Sequence, residues 1–183
     1  GYLNASPWTL TAGPEIPLNP PGGPDECDFE AVAADPASGN FYVLGSHAVA
    51  KKKGKPRLEQ QCLFRLPADP KTKLPDPAKA GEFKYVSLTA WLAKIPEIAP
   101  SIGKPLQQNG LNLEGLGCRA GTLFVGCRAP HLAGRTPVLE VAAEALFTLP
   151  LAQWPAPKVH LLPLGNGFGV RDLAPTKEGF LIL

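Results

Sequence analysis

At 183 residues, with 44% hydrophobic and 19% charged side chains, the chain has ordinary globular composition, which excludes disorder as its whole account. A formal charge of +2 leaves no broad basic field, so neither nucleic acid nor a membrane surface is expected as a partner, and no run of about 18 apolar residues is present. The 22 prolines and 19 glycines cluster between apolar runs and read as punctuation for many short strands, not as a collagen or linker repeat.

In chain order, residues 1–25 form a Pro/Gly-rich lead-in; "GYLNASPW" at its start is no signal peptide. The chain begins at Gly1, so an address sequence removed earlier is allowed for, and localisation stays open between cytoplasmic and exported. The stretch "DFEAVAADPASGNFYVLGSH" (28–47) then gives an acid, a short apolar strand, a Gly turn and a second apolar strand ending at His47. "KKKGKPR" (51–57) reads as a solvated hairpin tip, or as a local patch that helps to gather an anion. "CLFRL" (62–66) and "FKYVSL" (83–88) are two further strands, rich in β-formers.

"LTAWLAKI" (88–95) sets Leu88, Trp91, Leu92 and Ile95 on one helical face behind Thr89 as a cap. "LNLEGLGCRAGTLFVGCRAP" (111–130) repeats the first hairpin, with Glu114 aligned on Glu30. "PVLEV" (137–141) and "KVHLLPL" (158–164) are the next two strands, with helix formers at "VAAEALF" (141–147) between them. "FGVRDLAPTKEGFLIL" (168–183) starts a third copy, with Asp172 where the glutamates stood.

Each unit is a hairpin plus two more strands, so an all-β fold is expected: a partial β-propeller of four-stranded antiparallel blades, with one or two short helices in insertions. The single domain divides into blade one (28–88), an insertion (89–110), blade two (111–164) and the start of blade three (168–183). Successive acids lie farther apart than the roughly 40 to 50 residues of common propeller repeats, and the insertions account for the excess. A β-sandwich is the other fold with this strand content, but it gives no reason for an acid to recur at the start of the same strand. Closure of such a ring needs more blades, expected from sequence beyond this chain or from another chain.

In an antiparallel blade the start of the first strand lies beside the end of the second. Glu30 is therefore expected near Gly45, Ser46 and His47, and Glu114 near Cys127 and Arg128. One rim thus collects Asp28, Glu30, Glu114 and Asp172 with His47, Arg128 and Arg171. Three readings are open: carboxylate–arginine pairs that tie the blades together; a hard-cation site of Glu30, Glu114 and Asp172 holding calcium or magnesium; and a pocket for a small anionic molecule. In that pocket Arg128, Arg171 and the Lys51 to Arg57 loop would donate, and His47 or Glu114 would act as general base. His131 and His160 are taken as structural, with His160 half exposed in a strand. The four cysteines, at 27, 62, 118 and 127, have no metal-ligand spacing. They read as buried thiols, or as a disulfide if the protein is exported.

On those three hairpin segments the chain resembles an uncharacterised bacterial family of predicted β-propellers, catalogued as a domain of unknown function. The resemblance implies a longer bacterial protein and no established activity. Asp28, Phe29, Glu30 and Ala31 are also similar to the acidic opening of the first inner strand in esterase-like phytase propellers. The gluconolactonase and senescence-marker group offers a further analogy, a divalent metal held by such an acid, onto which Glu30 and Asp172 map. Two functional expectations follow: a metal-assisted hydrolase acting on an anionic ester or lactone, or a non-catalytic ligand- or protein-binding scaffold whose rim charges are structural.

Overall fold

The computed structural model describes residues 2–5, 8–11, 13, 15, 16, 18, 27–49 and 60–183. The Lys51 to Arg57 loop lies outside the described residues. Within the lead-in, β1 (Tyr2–Ala5) and β2 (Trp8–Thr11) pair as an antiparallel hairpin, so this segment carries more structure than its proline and glycine content suggests.

The first four-stranded sheet follows as an antiparallel meander of β3 (Phe29–Asp35), β4 (Asn40–Gly45), β5 (Leu63–Pro67) and β6 (Lys84–Val86). The second repeats the order with β7 (Asn112–Arg119), β8 (Thr122–Ala129), β9 (Thr136–Ala142) and β10 (Lys158–Leu162). A third pair, β11 (Leu173–Pro175) with β12 (Phe180–Ile182), completes the described strands. Every strand expected from β-former runs is present, and the chain is all-β with antiparallel four-stranded sheets and few short helices.

Turn chemistry sets the hairpins. Between β3 and β4 the Asp35 carboxylate accepts the Ala37 N–H at 3.2 Å, and Gly39 takes a φ of 68°. Between β7 and β8, Ala120 and Gly121 both have positive φ, 50° and 75°, which matches the right-handed twist of the strands they join.

The sheets stack face to face. β3 lies against β7, and β7 against β11, so the first strands of the three units form a continuous row. The largest core, including Tyr42, Leu44, Leu63, Leu113, Leu116, Val125 and Leu139, fills the space between the first and second sheets. Strand β3 shows the expected alternation, with Ala31 and Ala33 buried and Val32 exposed. Strand β7 is buried at every position but its last, because it is covered on both faces. On its second face Gly115, with Gly126 beside it on β8, leaves no room for a side chain: a Cβ on either would fall 2.6 Å or 2.4 Å from a Val170 methyl. Val170, Leu173 and Val138 form the small core between the second sheet and the β11–β12 pair. The outer face of the first sheet buries Val43, Cys62, Phe64 and Leu66 against Ile16 and Leu18 of the lead-in.

Both helices form, the first shorter than the 88–95 span expected of it. α1 (Thr89–Leu92) buries Trp91 and Leu92, but Thr89 is its first residue and not its cap; its hydroxyl donates instead to Gln61 Oε1 at 2.8 Å. α2 (Ala143–Thr148) covers the core with Leu146.

Candidate functional site

A backbone irregularity recurs at each acid. In the first hairpin Phe29 pairs with Gly45 and Ala31 with Leu44, which leaves Glu30 as the extra residue of a β-bulge. In the second, Leu113 pairs with Cys127 and Gly115 with Gly126, leaving Glu114 extra in the same way. The step from Asn112–Ala129 to Leu113–Cys127 leaves Arg128 extra on the facing strand. In the third unit the N–H groups of Arg171 and Asp172 both donate to the Leu183 carbonyl, at 2.6 and 3.3 Å, so two residues again oppose one. A bulge re-aims the side chain it carries. It turns each acid out of the alternation that would otherwise send it to one face of the sheet.

Backbone hydrogen bonds then lock the bulges to each other. Ser46 N–H donates to the Asp28 carbonyl at 3.1 Å, and Leu113 N–H, from the second sheet, donates to the Ser46 carbonyl at 2.8 Å. Val170 N–H repeats the link one unit on, donating to the Cys127 carbonyl at 2.9 Å. Gly169 has to be glycine for this approach, since a Cβ there would lie 2.0 Å from the Arg128 carbonyl oxygen.

Glu114 is the centre of the cluster. It is 2% exposed, and Oε1 accepts from Arg128 at 2.8 Å and from Asn112 Nδ2 at 3.0 Å. Arg171 Nε lies 2.5 Å from Oε2, close enough for a strong ion pair though its N–H is not aligned as a hydrogen bond. One buried carboxylate therefore joins two guanidinium groups, one from its own sheet and one from the next unit. The Arg128 and Arg171 side chains remain 37% and 54% exposed, so each keeps N–H donors facing solvent.

Glu30 shares this electrostatic neighbourhood. Partial burial raises its pKa above the ordinary value, Glu114 and Asp28 raise it further, and Arg171 and Arg128 oppose the shift. Glu30 and Asp28 are exposed, and among the described residues neither forms an ion pair. Asp172 occupies the equivalent backbone position, but its carboxylate accepts the N–H of its neighbour Leu173 at 2.8 Å.

The structure does not place His47 at the open rim. It follows β4 as expected, but at 4% exposure and in the left-handed region, φ 53°. Nδ1 donates to the Gly45 carbonyl at 2.9 Å, and Nε2 accepts the Leu88 N–H at 3.4 Å, which fixes a neutral ring. Burial lowers its pKa to about 4, with the bond to Gly45 acting weakly in the opposite direction. The positive φ turns the ring back under the strand end, away from solvent. Histidine is among the residues enriched at positive φ, but no local motif marked this position for it, because the turn is set by the strand end and by Leu88, forty-one residues on.

Three carboxylates on one axis suggested a cation site. Among the described residues no group of three or more His, Cys, Asp or Glu side chains is arranged to hold a metal ion. Glu114 faces two cationic groups and Asp172 serves its own backbone, so the donor set Glu30, Glu114 and Asp172 does not fit calcium or magnesium as arranged.

Two further charged pairs form between elements. Arg65 of β5 pairs with Glu144 of α2 at 2.6 Å and lies 4.9 Å from the centre of the Phe147 ring, tying the first sheet to the second. His160, half exposed as expected, meets Glu140 on the neighbouring strand at 2.6 Å, and this contact more than any other holds Glu140 below the usual carboxylate range. Both pairs are cross-element contacts between residues far apart in sequence, so no local motif announced them.

Comparison with known proteins adds one match. The model of the family described as Protein of unknown function (DUF3616) matches residues 78–183, more than half of the chain. No curated protein and no solved structure matches it.

Proposed function

The chain belongs to the DUF3616 family, and on that premise we propose that it is a binding scaffold of the β-propeller type, which takes a small anionic molecule at the rim through Arg128 and Arg171. The observation that carries this reading is the state of Glu114: a buried carboxylate whose two oxygens face two half-exposed guanidinium groups. Such a carboxylate holds both cations side by side and leaves their outer N–H donors directed at solvent. Paired guanidinium groups match the oxygens of a carboxylate or phosphate, and their pre-positioning reduces the ordering cost of binding.

The propeller is supported by two meanders in the same strand order, stacked through their first strands, with a third hairpin continuing the row. Hydrolysis has less support. The two residues on which it would rest are engaged elsewhere, His47 through both ring nitrogens and Glu114 through both oxygens. Glu30 and Asp28 limit the ligand's negative charge to the arginine side of the rim, and the exposed Glu30 carboxylate is suited to accept from a hydroxyl.

Titration calorimetry with inorganic phosphate, citrate and gluconate, on wild type and Arg171→Ala, tests the reading. At least one anion is expected to bind, and the substitution to weaken it about tenfold, the order expected for one charge-assisted hydrogen-bonded pair. Indifference to all three anions, or binding that Arg171→Ala leaves unchanged, would refute it. A thermal shift with calcium or magnesium that is reversed by EDTA and lost in Glu30→Gln would transfer support to the cation reading.

A further inference from the structure

We propose that the ligand of the rim is a zwitterion of the α-amino acid kind, its carboxylate held by Arg128 and Arg171 and its ammonium by Glu30 and Asp28. This rests on the anion reading above and deepens it by naming a second charge. Once an anion lies on the arginines, what the rim still lacks is a cation.

Among the described residues the rim carries four carboxylates, Asp28, Glu30, Glu114 and Asp172, against two guanidinium groups. The buried His47 ring adds no positive charge, since its pKa is lowered to about 4. Both guanidinium groups already face Glu114, and neither exposed acid of the first unit forms an ion pair among the described residues. The Glu30 carboxyl registers this imbalance. After partial burial, Glu114 and Asp28 raise its pKa, and each acts more strongly than Arg171 or Arg128, which lower it. A ligand with negative charge alone would add to that field. One that also brings an ammonium cancels part of it, and its hydrogen bonds to carboxylates are charge-assisted where those of a hydroxyl are not.

Hydrogen-bond demand points the same way. Ionised Glu30 and Asp28 only accept. Asn112 is buried, and while its Nδ2 donates to Glu114 Oε1 at 3.0 Å, its Oδ1 has no hydrogen-bond partner among the described residues. An ammonium is all donor, and so answers a rim with acceptors to spare. The backbone brings the two halves together. Ser46 N–H donates to the Asp28 carbonyl at 3.1 Å, and the Ser46 carbonyl accepts at 2.8 Å from the N–H of Leu113, next to Glu114. The first-unit acids therefore adjoin Glu114 and its arginines, and an α-amino acid sets its two charges on neighbouring carbons.

Propionate, L-lactate and L-alanine share one acid skeleton and differ at the α-carbon, which carries hydrogen, hydroxyl or ammonium. Each is titrated against the full chain at pH 7, followed by NMR through the Nε–H signals of Arg128 and Arg171. Alanine is expected to bind about tenfold more tightly than lactate, the order of one charge-assisted hydrogen bond. Glu30→Gln, at an exposed site, should remove most of that preference and leave propionate no weaker. Lactate or propionate binding as tightly as alanine, or a preference for alanine that Glu30→Gln leaves unchanged, would overturn the proposal. If the three acids bind equally and Arg171→Ala weakens them all, the anion reading stands and the ammonium is refuted. Arginine signals that none of the three acids moves would overturn both.

Discussion

Whether His47 is a base awaiting a substrate or a fixed part of the fold can be decided by acid. In the folded chain its Nε2 accepts the Leu88 N–H at 3.4 Å. Protonation would set two donors against each other in a site from which water is excluded. Burial therefore holds the ring neutral down to about 4, against an ordinary value of 6.5. The unfolded chain takes up the proton first, so the stability that His47 contributes is complete above pH 6.5 and is lost as the pH falls from there through about 4. The difference between the two values corresponds to about 3 kcal/mol.

The perturbation is His47→Asn. Asparagine tolerates a left-handed φ, and its amide can donate to the Gly45 carbonyl. Urea unfolding of wild type and variant, at half-unit steps from pH 7.5 to 4.5, is the assay. At neutral pH the variant should be less stable by about 1–2 kcal/mol, through the lost bond to Leu88. Across the acid window wild type should lose stability faster than the variant, and the two curves should meet and cross before pH 4.5. Other acids titrate in both proteins, so the difference between the curves isolates His47. Parallel curves would mean that the ring titrates normally, and the imidazole would again be a candidate base.

Glu114→Gln keeps the shape of the central side chain and removes its charge. We expect a loss of about 2 kcal/mol in urea, less than for a fully buried pair because both guanidinium groups can turn to water. A variant equal to wild type would show that the cluster does not tie the units together. Glu30→Gln should have the opposite sign. The raised pKa of Glu30 means that its stability contribution is present below the ordinary value of 4.5 and lost as pH rises through the raised one. At pH 7 the variant should therefore match or exceed wild type in urea midpoint and lose any advantage near pH 4; a clear loss at pH 7 would contradict the crowding of acids at this rim.

The strand order was legible because its signals are local. Alternation of period two, Gly-containing turns and β-former runs mark each hairpin, and a hairpin's pairing follows from its turn. The β1–β2 hairpin went unread because proline and glycine around it masked two four-residue strands. The rim was legible in part. Antiparallel pairing alone puts Glu114 beside Arg128 and Glu30 beside Gly45, and the register bears this out. Arg171 joined Glu114 by a route the sequence indicated, one unit on, yet its choice of Glu114 over Asp172 was not visible.

By itself, then, the sequence determined three hairpins of one design, each opening on an acid, together with the strands that widen the first two into sheets. These depend on neighbours a few residues away and on a pattern that the chain repeats. Tertiary structure decided what the acids and the histidine do. A bulge shifts a side chain by one position, a positive φ folds a ring inward, and sheet stacking chooses which guanidinium meets which carboxylate. Each is a difference of an ångström or a dihedral, set by packing between units far apart in the chain. On such differences Glu114 became a buried tie between two arginines, and His47 a closed part of the wall.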